Sequence, residues 1–258
     1  MTYLMFHFVF TLPVIIGLAA TLPRPLGGVG GRRGRWAIPL LCVIAFSYTT
    51  PWDNYLVAND VWWYGADRVI ATIGYVPVEE YMFFLLQPVL TGLFLYHVLG
   101  RLGYADRRSG LLPHVLGAAF WLLVSGISFY HLRSGPDDAF YLSLILAWSG
   151  PVLAGMWLYD GKTLWAKRKT MLVAVGVPTL YLWFADAIAI YAGIWTISTD
   201  YTLGLKVWTL PVEEATFFLV TNLLVVKGIL LFLYGSHESI QSATSKPSRA
   251  DTPEMAQG

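Results

Sequence analysis

Charge and cysteine are both scarce in this chain. Charged residues make up only 13% of its 258 residues, and 17 Lys and Arg against 16 Asp and Glu give a net charge of +1. This balance does not suggest a nucleic-acid partner. The single cysteine, Cys42, excludes an internal disulfide and a cysteine metal cluster. Hydrophobic residues reach 56% and the mean hydropathy is +0.57, which is the composition of an integral membrane protein.

Signatures of cofactor and metal binding are also missing. The glycine-rich stretch at residues 26–34 follows an apolar run and lacks a GxGxxG motif opening a helix, so it predicts a turn and not a dinucleotide site. The five histidines are scattered and form no HExxH motif. The sequence therefore predicts neither a cofactor nor a metal site.

Seven apolar stretches are each long enough to cross a bilayer as a helix. They lie at residues 2–22, 36–57, 78–99, 113–132, 138–159, 170–192 and 211–234. No basic segment precedes the first, so we expect a retained helix and not a cleaved signal peptide. The polar residues 236–258 are expected to form a disordered cytoplasmic tail. The predicted fold class is an all-α integral membrane protein with seven transmembrane helices, multi-pass in the cell membrane.

The charge of the connecting loops predicts the orientation. Basic residues concentrate in the first, third and fifth connections, at Arg24, Arg32, Arg33, Arg35, Arg101, Arg107, Arg108, Lys162, Lys167, Arg168 and Lys169. Because loops rich in Lys and Arg stay on the cytoplasmic side, we expect the N-terminus outside and the C-terminus inside.

One tetrapeptide, Pro-Val-Glu-Glu, occurs twice, at residues 77–80 and 211–214. Each copy opens an apolar stretch, and both proline and acidic residues favour the first turn of a helix. Upstream of each copy, an aspartate precedes a tryptophan by nine residues. The sequence thus predicts two parallel three-helix repeats, at 1–100 and 138–235, joined by a linker helix within 101–137.

The acidic residues of the two halves recur in register. They form the pairs Asp53 with Asp186, Glu79 with Glu213, and Glu80 with Glu214. Complementing a helix dipole would account for one Glu of each motif. It does not account for two adjacent carboxylates followed by Phe-Phe at the same spacing in both halves. The alternative is a shared cavity in which a protonated carboxyl group donates a proton and an ionised neighbour accepts one.

Aromatic residues are abundant, with 11 Trp, 15 Tyr and 14 Phe. Many lie toward the predicted outer side, where a belt at the membrane interface is the ordinary explanation. The alternative is a pocket whose ring faces stabilise a transient cation. Its candidate lining consists of the residues that recur in register, namely Trp62, Trp195, Phe83, Phe84, Phe217 and Phe218.

Lys227 invites comparison with a retinal-binding photoreceptor, because it lies within the last apolar stretch. Its position is sixteen residues past Pro211, which is about 24 Å along a helix. We therefore expect it near the cytoplasmic interface, with its ammonium group extended into the polar region. A photoreceptor would need a lysine in the middle of the helix.

The duplicated Pro-x-Glu-Glu motif, the three-helix repeats, the basic loops and the aromatic outer segments resemble the flavin-independent lycopene cyclases, over about residues 1–235. The resemblance is to the fused form of a membrane enzyme that also occurs as two short subunits. It implies acid and base candidates at Glu79, Glu80, Glu213 and Glu214, with Asp53 and Asp186 as supporting groups.

The resemblance also implies the reaction and the partners. A carboxylic acid would protonate the linear end group of lycopene, and the cation would close to a β-ionone ring without redox change or cofactor. The expected partners are the carotenoid substrate and membrane lipid, together with other carotenoid-pathway enzymes. Related family members act on C50 carotenoids or form other ring types, and the motif does not separate these activities.

A small-solute transporter is the alternative from another functional class, because parallel three-helix repeats with a linker helix also build carriers. A transporter predicts polar residues deep in the bundle. Here the acidic residues lie at predicted outer helix ends, and polar residues in mid-span such as Thr221 and Asn222 are few.

Overall fold

The computed structural model describes residues 1–22, 31–102 and 111–235 and is mostly helical. The predicted tail at 236–258 lies outside these ranges. Within them the seven helices are α1 Tyr3–Ala20, α2 Arg32–Ala58, α3 Val78–Leu102, α4 Leu112–Ser134, α5 Phe140–Ala166, α6 Arg168–Tyr191 and α7 Val212–Tyr234. Each lies on one of the predicted apolar stretches.

Six of the seven described helices are long and apolar enough to cross a membrane. The other is α2, which has sufficient length at 27 residues but includes arginines, prolines and Asp53. Six of the seven predicted spans are therefore helices of suitable length and hydropathy, and the seventh span stays a prediction.

Helices α3 and α7 begin one residue later than the motif suggests. Pro77 and Pro211 are the last residues of short strands, and Pro211 has the extended ψ of 151° that is expected of a capping position. The expectation that each proline lies in the first helical turn is therefore wrong. The paired glutamates do occupy the first turn of each helix, as predicted.

Six short strands interrupt the helices, which the all-α prediction did not include. They are β1 Trp62–Tyr64, β2 Thr72–Ile73, β3 Val76–Pro77, β4 Trp195–Ile197, β5 Lys206–Val207 and β6 Leu210–Pro211. Strands β2 and β3 form a hairpin, as do β5 and β6. Gly74 sits in the first hairpin at a φ of +68°, a conformation that glycine adopts without strain. The aromatic and β-branched composition of these segments favours strands.

Strands β1 and β4 pair with each other across the two halves of the chain. The pairing is antiparallel, with Trp62 opposite Ile197 and Tyr64 opposite Trp195. This small sheet brings the segments that follow α2 and α6 side by side.

A buried polar network joins three helices in the middle of the bundle. The Asn222 side chain is fully buried in α7. Its Oδ1 accepts hydrogen bonds from Gln87 at 2.5 Å and Thr91 at 2.6 Å on α3, and its Nδ2 donates to Thr179 on α6 at 3.0 Å. Because these groups satisfy one another, the network fastens the helices together.

Lys227 does not extend its ammonium group to the surface of the bundle, so that part of the expectation was wrong. Its side chain is only 1% exposed. The Nζ atom lies 5.0 Å from the ring of Trp157 on α5 and 5.6 Å from the ring of Trp121 on α4. These helices pack over the lysine, and the two indole faces attract its cationic form.

Candidate active site

The first turns of α3 and α7 face a cavity of ≈ 540 Å³. It is lined by side chains from all the described helices except α4, and from strands β1 and β4. The helix starts matter because the backbone N–H groups of a first turn and the helix dipole favour negative charge there. The two halves of the chain therefore contribute to one cavity.

Four carboxyl groups converge on this cavity. They belong to Asp53 on α2, Glu80 on α3, Asp186 on α6 and Glu214 on α7. Asp53, Asp186 and Glu214 are buried, and Glu80 is partly exposed. None of the described residues that line the cavity is basic. Such a cluster can hold a proton on one carboxyl group and accept a proton on another.

Each cavity glutamate accepts a hydrogen bond from a tyrosine that the sequence analysis missed. Tyr3 on α1 donates to Oε2 of Glu80 at 2.8 Å, and Tyr141 on α5 donates to Oε1 of Glu214 at 2.6 Å. Both tyrosines precede a leucine near the start of their helices. That recurring Tyr-Leu pair was the available signal, but it is too common to indicate a site.

The two halves differ at one position beside these glutamates. Tyr64 donates a second hydrogen bond to Oε2 of Glu80 at 3.2 Å. Burial, followed by the charge of Glu80, raises the pKa of Tyr64 well above its usual value, so its phenol stays protonated and can donate. In the second half Ile197 follows Trp195 by two residues, as Tyr64 follows Trp62. Among the described residues, Glu80 therefore has two phenol donors and Glu214 has one.

Among the described residues, the side chains of Asp53 and Asp186 together accept fewer hydrogen bonds than those of Glu80 and Glu214. Trp195 donates its indole N–H to Oδ1 of Asp186 at 3.0 Å. In the first half, Trp62 instead donates to the Tyr64 hydroxyl at 3.3 Å. The Oδ2 atoms of Asp53 and Asp186 are buried and have no hydrogen-bond partner among the described residues. Unpaired buried polar atoms of this kind are costly. The Oε2 atoms of Glu79 and Glu213 are unpaired in the same way among the described residues.

Glu79 and Glu213 do not line the cavity, although the sequence analysis placed them with Glu80 and Glu214. Both side chains are fully buried. Glu79 accepts a hydrogen bond from the backbone N–H of Ile70 at 2.9 Å, and Glu213 accepts one from Leu203 at 2.8 Å. The first glutamate of each motif thus anchors the preceding loop. A supporting role was predicted for Asp53 and Asp186, which line the cavity instead.

His7 supports the same region from α1. It lies in a π-helical turn, His7–Thr11, and its side chain is fully buried. Its two ring nitrogens lie 2.9 Å from the hydroxyl of Thr11 and 2.9 Å from the backbone carbonyl of Glu79. A π-helical turn often marks a functional site. Here it fixes α1 against the first turn of α3.

Aromatic rings form most of the remaining lining. Of the sequence candidates, Trp62, Trp195, Phe83, Phe217 and Phe218 line the cavity. Phe84 is buried but lines a second cavity instead. Trp52 was not among the predicted lining residues but also lines the cavity. Its ring stacks on Phe217 with centroids 5.6 Å apart and an interplanar angle of 4°.

No three His, Cys, Asp or Glu side chains in residues 1–22, 31–102 and 111–235 are placed to share a metal ion. The chemistry that these residues can perform themselves is proton transfer within an aromatic enclosure.

Comparison with known proteins identifies the family. The pattern of the family described as lycopene cyclase matches residues 1–99 and 138–232. The chain is 40% identical over 228 residues to the lycopene beta-cyclase of Halobacterium salinarum, which covers 84% of this chain and 94% of that protein. It is 35% identical over 247 residues to the bifunctional lycopene cyclase/phytoene synthase of Arthroderma gypseum, covering 88% of this chain and 40% of the fungal protein.

A similar match is found to the bifunctional protein of Blakeslea trispora, at 35% identity over 235 residues, 88% of this chain and 38% of that protein. No solved structure gives a significant match. The resemblance that the repeated Pro-x-Glu-Glu motif indicated is confirmed. The chain belongs to the lycopene cyclase family.

Proposed function

We propose that this protein is a lycopene β-cyclase, an intramolecular lyase that closes linear carotenoid end groups into β-ionone rings. The observation that carries the proposal is the convergence of four carboxyl groups on one aromatic cavity. Ring closure of a polyene needs a proton donor, a proton acceptor and surroundings that tolerate a carbocation while excluding water. The names of the relatives agree with this activity.

The reaction begins when a carboxylic acid adds a proton to C2 of the terminal C1=C2 double bond. This leaves a tertiary cation at C1. The electrons of the C5=C6 bond then form the C1–C6 bond, and the positive charge moves to C5. Loss of the proton from C6 restores the C5=C6 double bond inside the new ring. One proton enters and one leaves, so the product is an isomer of the substrate.

The unequal hydrogen bonding of the two glutamates suggests their roles. Two phenol donors at Glu80 stabilise its ionised form, which suits a base or a partner for the cation. Glu214 has a single phenol donor on Oε1, so its other oxygen has no hydrogen-bond partner among the described residues and can present a proton. We assign Glu214 as the acid and Glu80 as the base. Asp53 and Asp186 stabilise the cation between them.

The aromatic rings provide the other part of the stabilisation. The aromatic rings of Trp52, Trp62 and Trp195 form part of the cavity wall. Each ring face that meets the cation contributes roughly 0.5–2 kcal/mol. Their bulk also keeps out water, which would otherwise trap the cation as an alcohol.

We further propose that the chain consists of two parallel three-helix repeats, 1–100 and 138–235, with α4 as the linker. Support comes from matching hydrogen bonds. Tyr48 lies five residues before Asp53 and donates to the Trp148 carbonyl at 2.8 Å. Tyr181 lies five residues before Asp186 and donates to the Phe10 carbonyl at 2.6 Å. The tyrosine donors to Glu80 and Glu214 recur in the same way.

In this arrangement the N-terminus and both glutamate pairs lie near the outer face of the cell membrane, as the basic connections indicate. The apolar side chains on the surface of α4, including Leu112, Leu116, Leu123 and Ile127, are more than half exposed and would contact lipid.

Expression in a bacterium that accumulates lycopene tests the proposed function. Extracted pigments are separated and compared with those of an empty-vector control. We expect β-carotene, or γ-carotene if the enzyme closes one end only. Unchanged lycopene, with the protein verified in the membrane, would contradict the proposal. Conversion of C50 substrates in place of lycopene would preserve the cyclase and change its substrate.

We expect the two tyrosine donors to contribute unequally to the rate of cyclisation. Tyr141→Phe removes the phenol that orients Glu214, and we expect cyclisation to fall by about tenfold. Tyr3→Phe leaves the hydrogen bond from Tyr64 to Glu80 in place, so the expected loss is smaller. Initial rates in membranes supplied with lycopene measure both effects. A larger loss of rate in Tyr3→Phe than in Tyr141→Phe would contradict the assignment of Glu214 as the acid.

A further inference from the structure

A second cavity of ≈ 690 Å³ lies beside the first, between α2, α3, α5 and α7. The two cavities share Phe83 and Phe217 in their walls. Phe83 and Gln87, which line the second cavity, follow Glu80 by about one and two helical turns. The second cavity therefore continues from the carboxyl groups toward the middle of the bundle.

The chemistry of this second cavity differs from that of the first. None of its described lining residues is charged, and most are aliphatic or aromatic. Among its polar members, Gln87 donates to Asn222 and Thr221 donates to the backbone carbonyl of Phe217. Their hydrogen bonds are made within the protein. The cavity thus suits a hydrocarbon, which needs no polar partner.

One side of the second cavity reaches the outer surface of the bundle. Ile44 and Tyr48 on α2 and Val152 on α5 line the cavity and are also 49%, 40% and 36% exposed. Tyr48 stacks on Trp148 with ring centroids 4.8 Å apart and donates to its carbonyl, linking α2 to α5. These exposed lining residues form a mouth between α2 and α5, which would contact lipid hydrocarbon in the proposed membrane arrangement.

We infer that the second cavity binds the polyene chain of the carotenoid while its end group reacts in the first. This inference rests on the proposed function. A carotenoid is a rod several times longer than its end group, so the rest of the chain must lie outside the reacting cavity. The second cavity adjoins the first, is apolar, and opens toward the phase in which carotenoids dissolve. The substrate then enters from the side, between α2 and α5.

A binding experiment tests this inference separately from catalysis. The variant Glu214→Gln provides a background in which lycopene is bound and not converted. In this background Ile44→Trp places a large ring at the mouth of the second cavity. We expect the amount of lycopene that copurifies with the protein, measured by absorbance, to fall by about tenfold or more.

The two halves supply a matched control. Val177 lies nine residues before Asp186, as Ile44 lies nine residues before Asp53, and it is 48% exposed without lining either cavity. Val177→Trp should leave lycopene binding unchanged. Val152→Trp narrows the mouth from the opposite helix and should reproduce the loss of copurifying lycopene. Agreement between the two variants would show that the loss does not come from misfolding of one of them.

Undiminished lycopene in both Ile44→Trp and Val152→Trp would overturn the inference. It would also be overturned if these variants lost copurifying phospholipid and kept lycopene, because the cavity would then hold a lipid chain. An equal loss in Val177→Trp would overturn the assignment of the mouth. If the unaltered protein bound lycopene by this test but never cyclised it, the proposed function would fail and the binding site would stand.

Discussion

Replacing Glu214 or Glu80 with glutamine is expected to lower cyclisation by at least about 100-fold. Glutamine has nearly the same volume and can still accept a hydrogen bond from Tyr141 or Tyr3. It cannot release a proton to an alkene or take one from a carbocation at neutral pH. The loss therefore reports proton transfer and not packing. Initial rates of lycopene consumption in isolated membranes provide the measurement.

A carboxylate outside the cavity supplies the control. Asp138 lies in the short turn before α5 and is exposed. Asp138→Asn makes the same chemical change to a carboxyl group and should leave the rate unchanged. Equal amounts of all three variants in the membrane would show that insertion is intact. Full activity in both Glu214→Gln and Glu80→Gln would remove carboxylate acid-base catalysis at these residues from the mechanism.

The helices and the in-register acids could be predicted from the sequence because both depend on short-range patterns. Apolar stretches of bilayer length mark the helices, and the stretch predicted at 78–99 corresponds to Val78–Leu102. The spacing from Asp53 to Trp62 repeats from Asp186 to Trp195, so residues that line one cavity could be identified from the duplication. Four of the predicted in-register residues, Asp53, Trp62, Glu80 and Phe83, line one cavity with their counterparts.

The direction of each side chain could not be predicted in the same way. Successive residues of a helix point about 100° apart, so adjacent glutamates necessarily face different surroundings. Which of them faces the cavity depends on how the helix is rotated against its neighbours. That rotation is fixed by distant contacts, such as the bond from His7 to the Glu79 carbonyl, 72 positions away. Burial of Lys227 under Trp121 and Trp157 likewise depends on helices remote in sequence.

We expect substitution of the cavity aspartates to lower cyclisation more than substitution of the first glutamate of each motif. The Pro-x-Glu-Glu motif alone would predict the reverse. Asp53→Asn and Asp186→Asn remove negative charge from the cavity where the cation forms, and each is expected to lower cyclisation by about 100-fold. Glu79→Gln and Glu213→Gln keep a carbonyl oxygen for the loop N–H groups of Ile70 and Leu203. These two variants should retain most of the activity, although the motif alone would make them inactive.

Thermal stability separates the two groups further. A neutral acceptor binds a backbone N–H less strongly than a carboxylate does, so Glu79→Gln and Glu213→Gln should lower the free energy of unfolding by about 1 kcal/mol. The Oδ2 atom of the Asp53 side chain has no hydrogen-bond partner among the described residues, so the amide variant should fold at least as well as the parent. Rates and unfolding temperatures of the purified proteins in detergent measure both properties. An inactive Glu79→Gln variant together with an active Asp53→Asn variant would contradict this prediction. Glu79 would then be the acid or base candidate that the motif indicates, and Asp53 would be a supporting group.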